Sequence, residues 1–142
     1  MGKLLQRLQD PARSGVYRVA RPDEVLDATR AGRPRLSRVS LVGTTDKKAL
    51  LARFASGLQF PTWFGANWDA LEDCLTDLSW LDADGHVLLI EDASGLPADD
   101  LGVLKDVLSS SAQYWAGRGK SFFAVFVNGP ASLPLLFQPR PT

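Results

Sequence analysis

The sequence has few of the residues that build disulfides, metal centres and membrane spans. Its 142 residues include one cysteine, Cys74, and one histidine, His86. A single cysteine excludes an internal disulfide framework and any site made from several thiolates. The longest apolar segments, 87–90 and 122–127, are too short to cross a bilayer. Because the N-terminus also lacks the apolar stretch of a secretory signal, we expect a cytoplasmic protein without membrane contact.

Positive charge is absent from a long central segment. Residues 54–104 contain ten acidic side chains and no lysine or arginine, whereas residues 1–53 contain twelve basic and five acidic side chains. The net charge of the whole chain is nevertheless zero. Three of the four tryptophans lie in the acidic segment, so it is not a solvated acidic tail. Such a segment repels nucleic acid and attracts a basic partner.

The order of the predicted elements indicates an α/β fold. Alternating or continuous apolar patterns predict strands at 15–19, 36–42, 87–90 and 122–127. Capping residues and helical spacing predict helices that begin near Pro22, Asp46, Asn67 and Pro97. Strands that alternate with helices predict a single-layer, small parallel sheet packed with α-helices. We expect one domain over residues 1–142, with three core strands and a fourth, N-terminal strand.

An aromatic loop followed by an amphipathic helix is the most informative segment. The loop spans residues 60–65, where Gly65 permits a tight turn, and Asn67 can cap a helix that runs to about Leu78. At about 100° per residue, the leucines and Cys74 lie on one side of this helix. The opposite side presents Asp69, Glu72, Asp73, Thr76 and Asp77. Three of these acids are spaced i, i+4, i+8, and each such pair of like charges costs about 0.2–0.5 kcal/mol.

Several interpretations of this acidic stripe are open at the level of sequence. It can be an ordinary solvated helix face. Carboxylates also bind Ca²⁺ or Mg²⁺, although such ligands converge from several chain segments and one helical stripe does not. A carboxylate pair can catalyse hydrolysis when one acid lies in an apolar pocket, whereas these acids share the polar side. A small carboxylate-dependent metal-binding protein or hydrolase is therefore the alternative function.

Two other residues invite a chemical role. Cys74 lies on the apolar side of the acidic helix, far in sequence from the histidine, so we interpret it as a buried thiol and not a nucleophile. His86 precedes a buried strand, and we interpret it as a strand-end residue and not a general base. We therefore expect no catalytic residue, no metal site and no cofactor.

The segment 63–75 resembles the signature of the barstar family, the intracellular protein inhibitors of the ribonuclease barnase. The matching residues are Trp63, Phe64, Gly65, Asn67, Asp69, Ala70, Leu71, Asp73, Cys74 and Leu75. The weaker resemblance over residues 36–128 implies a barstar-like core with a small parallel sheet. Residues 1–35 are then an additional strand and helix at a sheet edge. Residues 129–142 form a proline-rich tail, which we expect to be loose.

The resemblance implies a ribonuclease inhibitor or immunity protein that binds a basic ribonuclease or a toxin nuclease domain. In this family the acidic helix and the loop before it block the enzyme's active site. By this resemblance Asp69 and Asp73 meet the enzyme's phosphate-binding Arg and Lys groups, Trp63 packs on its surface and Thr76 faces it. The remaining residues of the implied binding surface are Phe64, Gly65, Asn67, Glu72 and Asp77.

Two positions depart from the family pattern. The reference member of the family has an acidic residue where this chain has Ala66, and a tryptophan where this chain has Glu72. Replacing an aromatic anchor by a carboxylate changes what the partner must present. The resemblance therefore predicts the mode of inhibition and leaves the identity of the nuclease open.

Overall fold

Helices cover both faces of a four-stranded sheet in the computed structural model, which describes residues 3–30 and 32–137. The strands are β1 (Gly15–Val19), β2 (Arg35–Ser40), β3 (Gly85–Glu91) and β4 (Ser121–Val127). Five α-helices occur in these residues: α1 (Lys3–Leu8), α2 (Asp23–Arg30), α3 (Lys47–Gly57), α4 (Trp68–Leu75) and α5 (Ala98–Ala116). A short 3₁₀ helix, Pro11–Arg13, precedes β1.

The strand order is β1-β4-β3-β2, and every neighbouring pair is parallel. The two central strands, β3 and β4, are buried at all positions except their last residues, Glu91 and Val127. Burial on both faces explains why their sequences are continuous apolar runs. The expected parallel α/β fold is confirmed, and the N-terminal strand lies at a sheet edge as predicted.

The side chains of the central strands alternate between two hydrophobic cores. Leu88 and Ile90 belong to the core that α3, α4 and α5 cover. Val87 and Leu89 belong to a second core, to which α1 and α2 contribute Leu8 and Val25. Because the acidic helix packs on the first core, the sheet supports it from beneath. No helix in the described residues is both long and apolar enough to cross a membrane.

Helix α1 was not predicted from the sequence. It has six residues, which is far below the length at which an isolated helix is stable in water. Leu5 and Leu8 are buried, and Leu8 is a member of the second core. Helix α1 therefore depends on tertiary packing and not on its own propensity.

The expectation of a loose tail is wrong for residues 129–137. The backbone N–H of Arg18 donates to the carbonyl of Pro134 at 2.9 Å, and the N–H of Leu136 donates to the carbonyl of Arg18 at 3.0 Å. The side chain of Leu136 is fully buried in the second core. The tail thus covers the free edge of β1, which would otherwise expose unpaired backbone groups. Residues 138–142 lie outside the described residues.

We expect the substitution Leu136→Ala to lower the free energy of unfolding by about 2–5 kcal/mol, because it leaves a cavity in the second core. Urea denaturation measures this change. Val103→Ala is the matched control, since Val103 is 38% exposed on α5, and we expect it to cost under about 0.5 kcal/mol. Equal stability of the two variants would contradict the docking of the tail.

Candidate functional site

Helix α4 is attached to the core along one side. Leu71, Cys74 and Leu75 are fully buried. At the C-terminal end, the indole Nε1 of Trp115 from α5 donates a hydrogen bond to the carbonyl oxygen of Leu75 at 2.8 Å. This bond satisfies one of the carbonyls that a helix leaves free at its end. The orientation of α4 is thus fixed by apolar contacts and by a buried hydrogen bond.

Asn67 begins α4 as its N-cap. Its Oδ1 accepts a hydrogen bond from the backbone N–H of Ala70 at 2.7 Å, and its Nδ2 donates to the carbonyl of Gly65 at 3.5 Å. The predicted cap is therefore present. Both polar atoms of the Asn67 side chain are used within the chain, so its first role is to hold the start of the helix.

The predicted end of the acidic helix near Leu78 is wrong, because α4 ends at Leu75. The hydroxyl of Thr76 donates to the carbonyl of Glu72 at 2.8 Å, and the backbone N–H of Thr76 donates to the same oxygen. Leu78 then adopts a left-handed conformation, with φ of 49°, and is buried. Asp77 therefore lies in the turn after α4 and not on the helix.

The acidic face consists of Asp69, Glu72, Asp73 and Asp77, all of which are exposed. The ion pairs found among the described residues all involve other side chains. No basic side chain of the described N-terminal residues therefore neutralises the acidic face. Its four carboxylates point into solvent from a fixed helix and the turn that follows it.

Glu91 differs from the acidic face, although it belongs to the same acidic segment. Arg38 of the neighbouring strand donates two hydrogen bonds to its carboxylate, each 3.0 Å long. This pair raises the pKa of the Arg38 guanidinium, chiefly through the hydrogen bond and then through the charge of Glu91. The charge of Glu91 is thus balanced within the protein.

The loop before α4 contributes to an aromatic cluster, which consists of Phe60, Trp63, Phe64 and Trp80. Trp63 is 58% exposed, and its ring centre is 6.1 Å from that of Trp80 in an edge-to-face arrangement. The ring centre of Phe60 lies 4.9 Å from that of Phe64 and 6.1 Å from that of Trp80. The indole of Trp80 is itself fixed by a hydrogen bond to the carbonyl of Leu58 at 2.9 Å. The sequence prediction missed Phe60 and Trp80 as supports of this loop.

The backbone of the loop turns at Ala66 and not at Gly65. Ala66 has a φ of 52°, a left-handed conformation that costs a non-glycine residue about 1–3 kcal/mol. Gly65 has an ordinary φ and is exposed. The left-handed residue predicted at Gly65 therefore lies one residue later, at Ala66.

Cys74 and His86 are both buried, and burial shifts the pKa of each. Burial raises the pKa of the Cys74 thiol to about 11, with help from the negative charges of Asp77 and Asp73. Burial lowers the pKa of His86 to about 4, with help from the positive charges of Lys120 and Arg35. At neutral pH the thiol is protonated and the imidazole is uncharged. A protonated, buried thiol is a poor nucleophile.

The alternative of a metal-binding protein or hydrolase finds no support in the described part of the chain. No three His, Cys, Asp or Glu side chains there are grouped closely enough to hold a metal ion. Asp69, Glu72 and Asp73 diverge into solvent along one helix and do not converge on a point. All three side chains are exposed to solvent.

The fold and this surface define an α/β protein whose parallel sheet supports an exposed acidic helix. The family model Barstar, described as "Barstar (barnase inhibitor)", matches residues 35–127, and the chain therefore belongs to the barstar family. No curated protein matches the chain.

Among solved structures, the chain is similar to the crystal structure of Cdc6p from Pyrobaculum aerophilum. The identity is 17% and the TM-score 0.49, over 81% of this chain and 32% of that one. The chain thus spans about a third of the length of that structure.

Stability is expected to depend on pH through His86. Because its folded pKa of about 4 lies below the usual 6.5, only the unfolded chain binds a proton between these values. The free energy of unfolding that depends on an uncharged His86, roughly 3 kcal/mol at most, is therefore fully present above pH 6.5. It is lost as the pH falls toward 4. Urea unfolding at several pH values measures this slope. In His86→Gln the free energy of unfolding should fall less between pH 6.5 and 4. The same fall in both proteins would show that His86 is not its cause.

The substitution Asp73→Lys is expected to stabilise the free protein. It removes the repulsion with Asp69, one turn away on α4, and replaces it by an attraction. At about 0.2–0.5 kcal/mol for each of these two changes, the gain is roughly 0.5–1 kcal/mol in low salt. Thermal and urea unfolding at low and high salt measure it. Asp106→Lys on α5 is the control, because no charged residue lies three or four positions away. An equal or larger gain in that control would exclude repulsion within the acidic face as the cause.

Proposed function

We propose that this protein inhibits a basic ribonuclease by occupying its active site with the acidic face and the exposed side of the aromatic loop. One observation supports this proposal above the others. A member of the barstar family presents four exposed carboxylates without an ion pair in the described residues, next to a tryptophan that is 58% exposed. The inhibitor acts by occlusion and performs no chemistry of its own.

The chemistry of a ribonuclease site fits this surface. Such a site holds the phosphate groups of RNA with Arg and Lys side chains and with hydrogen-bond donors. Asp69 and Asp73 lie one helical turn apart and present negative charge to the same groups. Because α4 is fixed by buried contacts, little conformational entropy is lost when the two carboxylates bind.

The remaining residues have graded roles in this proposal. Trp63 is the apolar anchor, since exposed aromatic side chains supply much of the binding energy of protein interfaces. Glu72 and Asp77 extend the negative charge on either side of the central pair. Thr76 borders the same surface, although its hydroxyl already donates to the carbonyl of Glu72.

The other three predicted residues position the surface. Asn67 holds the first turn of α4 through its cap hydrogen bond. Phe64 is half-buried and packs against Phe60, and Gly65 leads into the strained turn. We propose that these residues act on the partner mainly by fixing Trp63 and Asp69 in place.

Long-range charge is part of the proposed function. The acidic segment attracts a basic ribonuclease and raises the association rate at low ionic strength, whereas nucleic acid is repelled. The partner is an endogenous ribonuclease or a toxin nuclease domain. We place the complex in the cytoplasm, where an inhibitor protects cellular RNA.

The test measures RNA cleavage by barnase and by each small basic ribonuclease encoded in the same genome, with and without this protein. The double variant Asp69→Ala/Asp73→Ala is compared with Asp106→Ala. Coupling energies of about 1.5–7 kcal/mol are known for close charge pairs between barnase and barstar, the reference members of the two families. At about 1.4 kcal/mol per tenfold change in affinity, we expect the double variant to lose at least about 100-fold.

Two results would count against the proposal. If Asp69→Ala/Asp73→Ala inhibits as strongly as Asp106→Ala, the acidic face is not part of the interface. If the protein inhibits none of the ribonucleases of the panel, the proposed function is wrong. If a ribonuclease is inhibited, raising the salt concentration should lower the association rate constant strongly and change the dissociation rate constant little.

A further inference from the structure

A cavity with basic walls lies where β2, β3 and β4 begin. Its volume is about 470 Å³, and Pro34, Gly85 and Ser121, at the starts of these three strands, form part of its wall. Small-molecule sites in proteins have volumes of about 300–1,000 Å³, so this cavity has room for such a ligand. We call it the basic cavity. Its charged wall residues are Arg33, Asp84, Arg118 and Lys120.

Positive charge is in excess on this wall. Three of the four charged residues are cations, and all four are exposed. The carboxylate of Asp84 lies 4.0 Å from the guanidinium of Arg33, and the two side chains are 74% and 81% exposed. Such an exposed ion pair is weak, so an incoming anion can compete for Arg33. Arg118 and Lys120 take no part in the ion pairs of the described residues.

The turn after α5 holds Arg118 and Lys120 close together. Gly119 lies between them with a φ of 75°, a left-handed conformation that glycine adopts without strain. The backbone N–H groups of Gly119 and Lys120 donate to the carbonyls of Ala116 and Trp115, each at 3.0 Å. Because the backbone of the turn is fixed, an anion that binds there has only side chains to order.

The guanidinium group of Arg118 is well placed to bind an oxyanion. Its central carbon lies over the ring of Tyr114, 3.7 Å from the ring centre. Stacking uses the flat face of the group and leaves the N–H donors at its edge available. This edge can donate two parallel hydrogen bonds to an oxyanion. Lys120 adds a second charge, and its hydrogen bond to the carbonyl of Ala83 is long, at 3.4 Å.

The pKa of His86 supports a positive potential at this end of the sheet. His86 directly follows the wall residue Gly85. Burial is the main reason for its pKa of about 4, and the positive charges of Lys120 and Arg35 act in the same direction. A positive potential raises the local concentration of anions. The sheet end where the basic cavity lies therefore favours a negatively charged ligand.

We propose that the basic cavity binds the phosphate group of a small phosphorylated molecule. Three cations and one carboxylate give the wall a net charge of +2, and a phosphate monoester carries about −1.5 to −2 at neutral pH. In the bound state Arg118 donates two hydrogen bonds to phosphate oxygens, and Arg33 and Lys120 balance the remaining charge. Gln9, Pro11 and Pro34 form an uncharged part of the wall, beside which the rest of the molecule lies. This site is independent of the proposed function.

Calorimetric titration of the whole protein tests the proposal. The probes are ribose 5-phosphate and inorganic phosphate, and ribose is the uncharged control, all at constant ionic strength and at about pH 7.5, where phosphate is mostly doubly charged. We expect saturable binding of ribose 5-phosphate with a Kd below about 10 mM and no binding of ribose. Inorganic phosphate should bind several-fold more weakly, because it lacks the sugar. Tighter binding of inorganic phosphate would overturn the assignment to a phosphorylated molecule.

Three variants connect the binding to this cavity. Arg118→Gln/Lys120→Gln should weaken binding of ribose 5-phosphate at least about tenfold, because it removes two charged donors. Lys47→Gln/Lys48→Gln on α3 is the matched control, with the same change of charge at two exposed positions outside the cavity. Asp84→Asn should strengthen binding several-fold, because the competing carboxylate is gone. All these side chains are exposed, so the core is undisturbed.

The position of the ligand is measured by NMR. On titration with ribose 5-phosphate, the backbone amide signals of Gly119 and Ser121 should shift, whereas that of Gly43, in the loop after β2, should not. Absence of saturable binding, or equal binding of ribose and ribose 5-phosphate, would overturn the proposal. Equal affinities of Arg118→Gln/Lys120→Gln and Lys47→Gln/Lys48→Gln would show that the phosphate binds elsewhere.

Discussion

The attachment of α4 to the first core is the contact on which the acidic face depends. The helix has eight residues, too few to be stable alone, and its carboxylates repel one another. Each repulsion costs about 0.2–0.5 kcal/mol, whereas a fully buried leucine contributes about 1.5–3 kcal/mol. The burial of Leu71 and Leu75 therefore outweighs the repulsion several-fold. A charged surface that would not fold by itself is kept in one conformation by the sheet beneath it.

Trp115 connects this helix to the rest of the protein. Its indole N–H fixes the carbonyl of Leu75, and its ring lies 5.9 Å from the ring of His86. The end of α4, the C-terminal part of α5 and the start of β3 are thus joined at one side chain. Because these contacts are buried, a partner that binds the acidic face meets a surface whose ordering took place during folding.

Most of the fold could be predicted from the sequence, because the strongest signals are local. Continuous apolar runs identified β3 and β4, and capping residues identified the starts of α3 and α4. Helix α1 and the tail could not be predicted, since a six-residue helix and a segment rich in proline form only when Leu8 and Leu136 enter the second core. The end of α4 could not be predicted from apolar spacing either, because Leu78 lies on the apolar side of a longer helix and is equally buried in the turn that replaces it.

The exposed residues of the candidate site could be predicted from the sequence, whereas the residues that pack behind them could not. The carboxylates and Trp63 follow from the sequence pattern, whereas Phe60 and Trp80 become neighbours only in the folded chain. This support bears on what the partner must present. Within the proposed interface, Glu72 makes the centre more polar than a tryptophan would, and Trp63, whose ring packs edge-to-face with Trp80, is left to supply the apolar contact. Within the proposed complex, a matching ribonuclease has cationic groups opposite Glu72 and an apolar surface opposite Trp63.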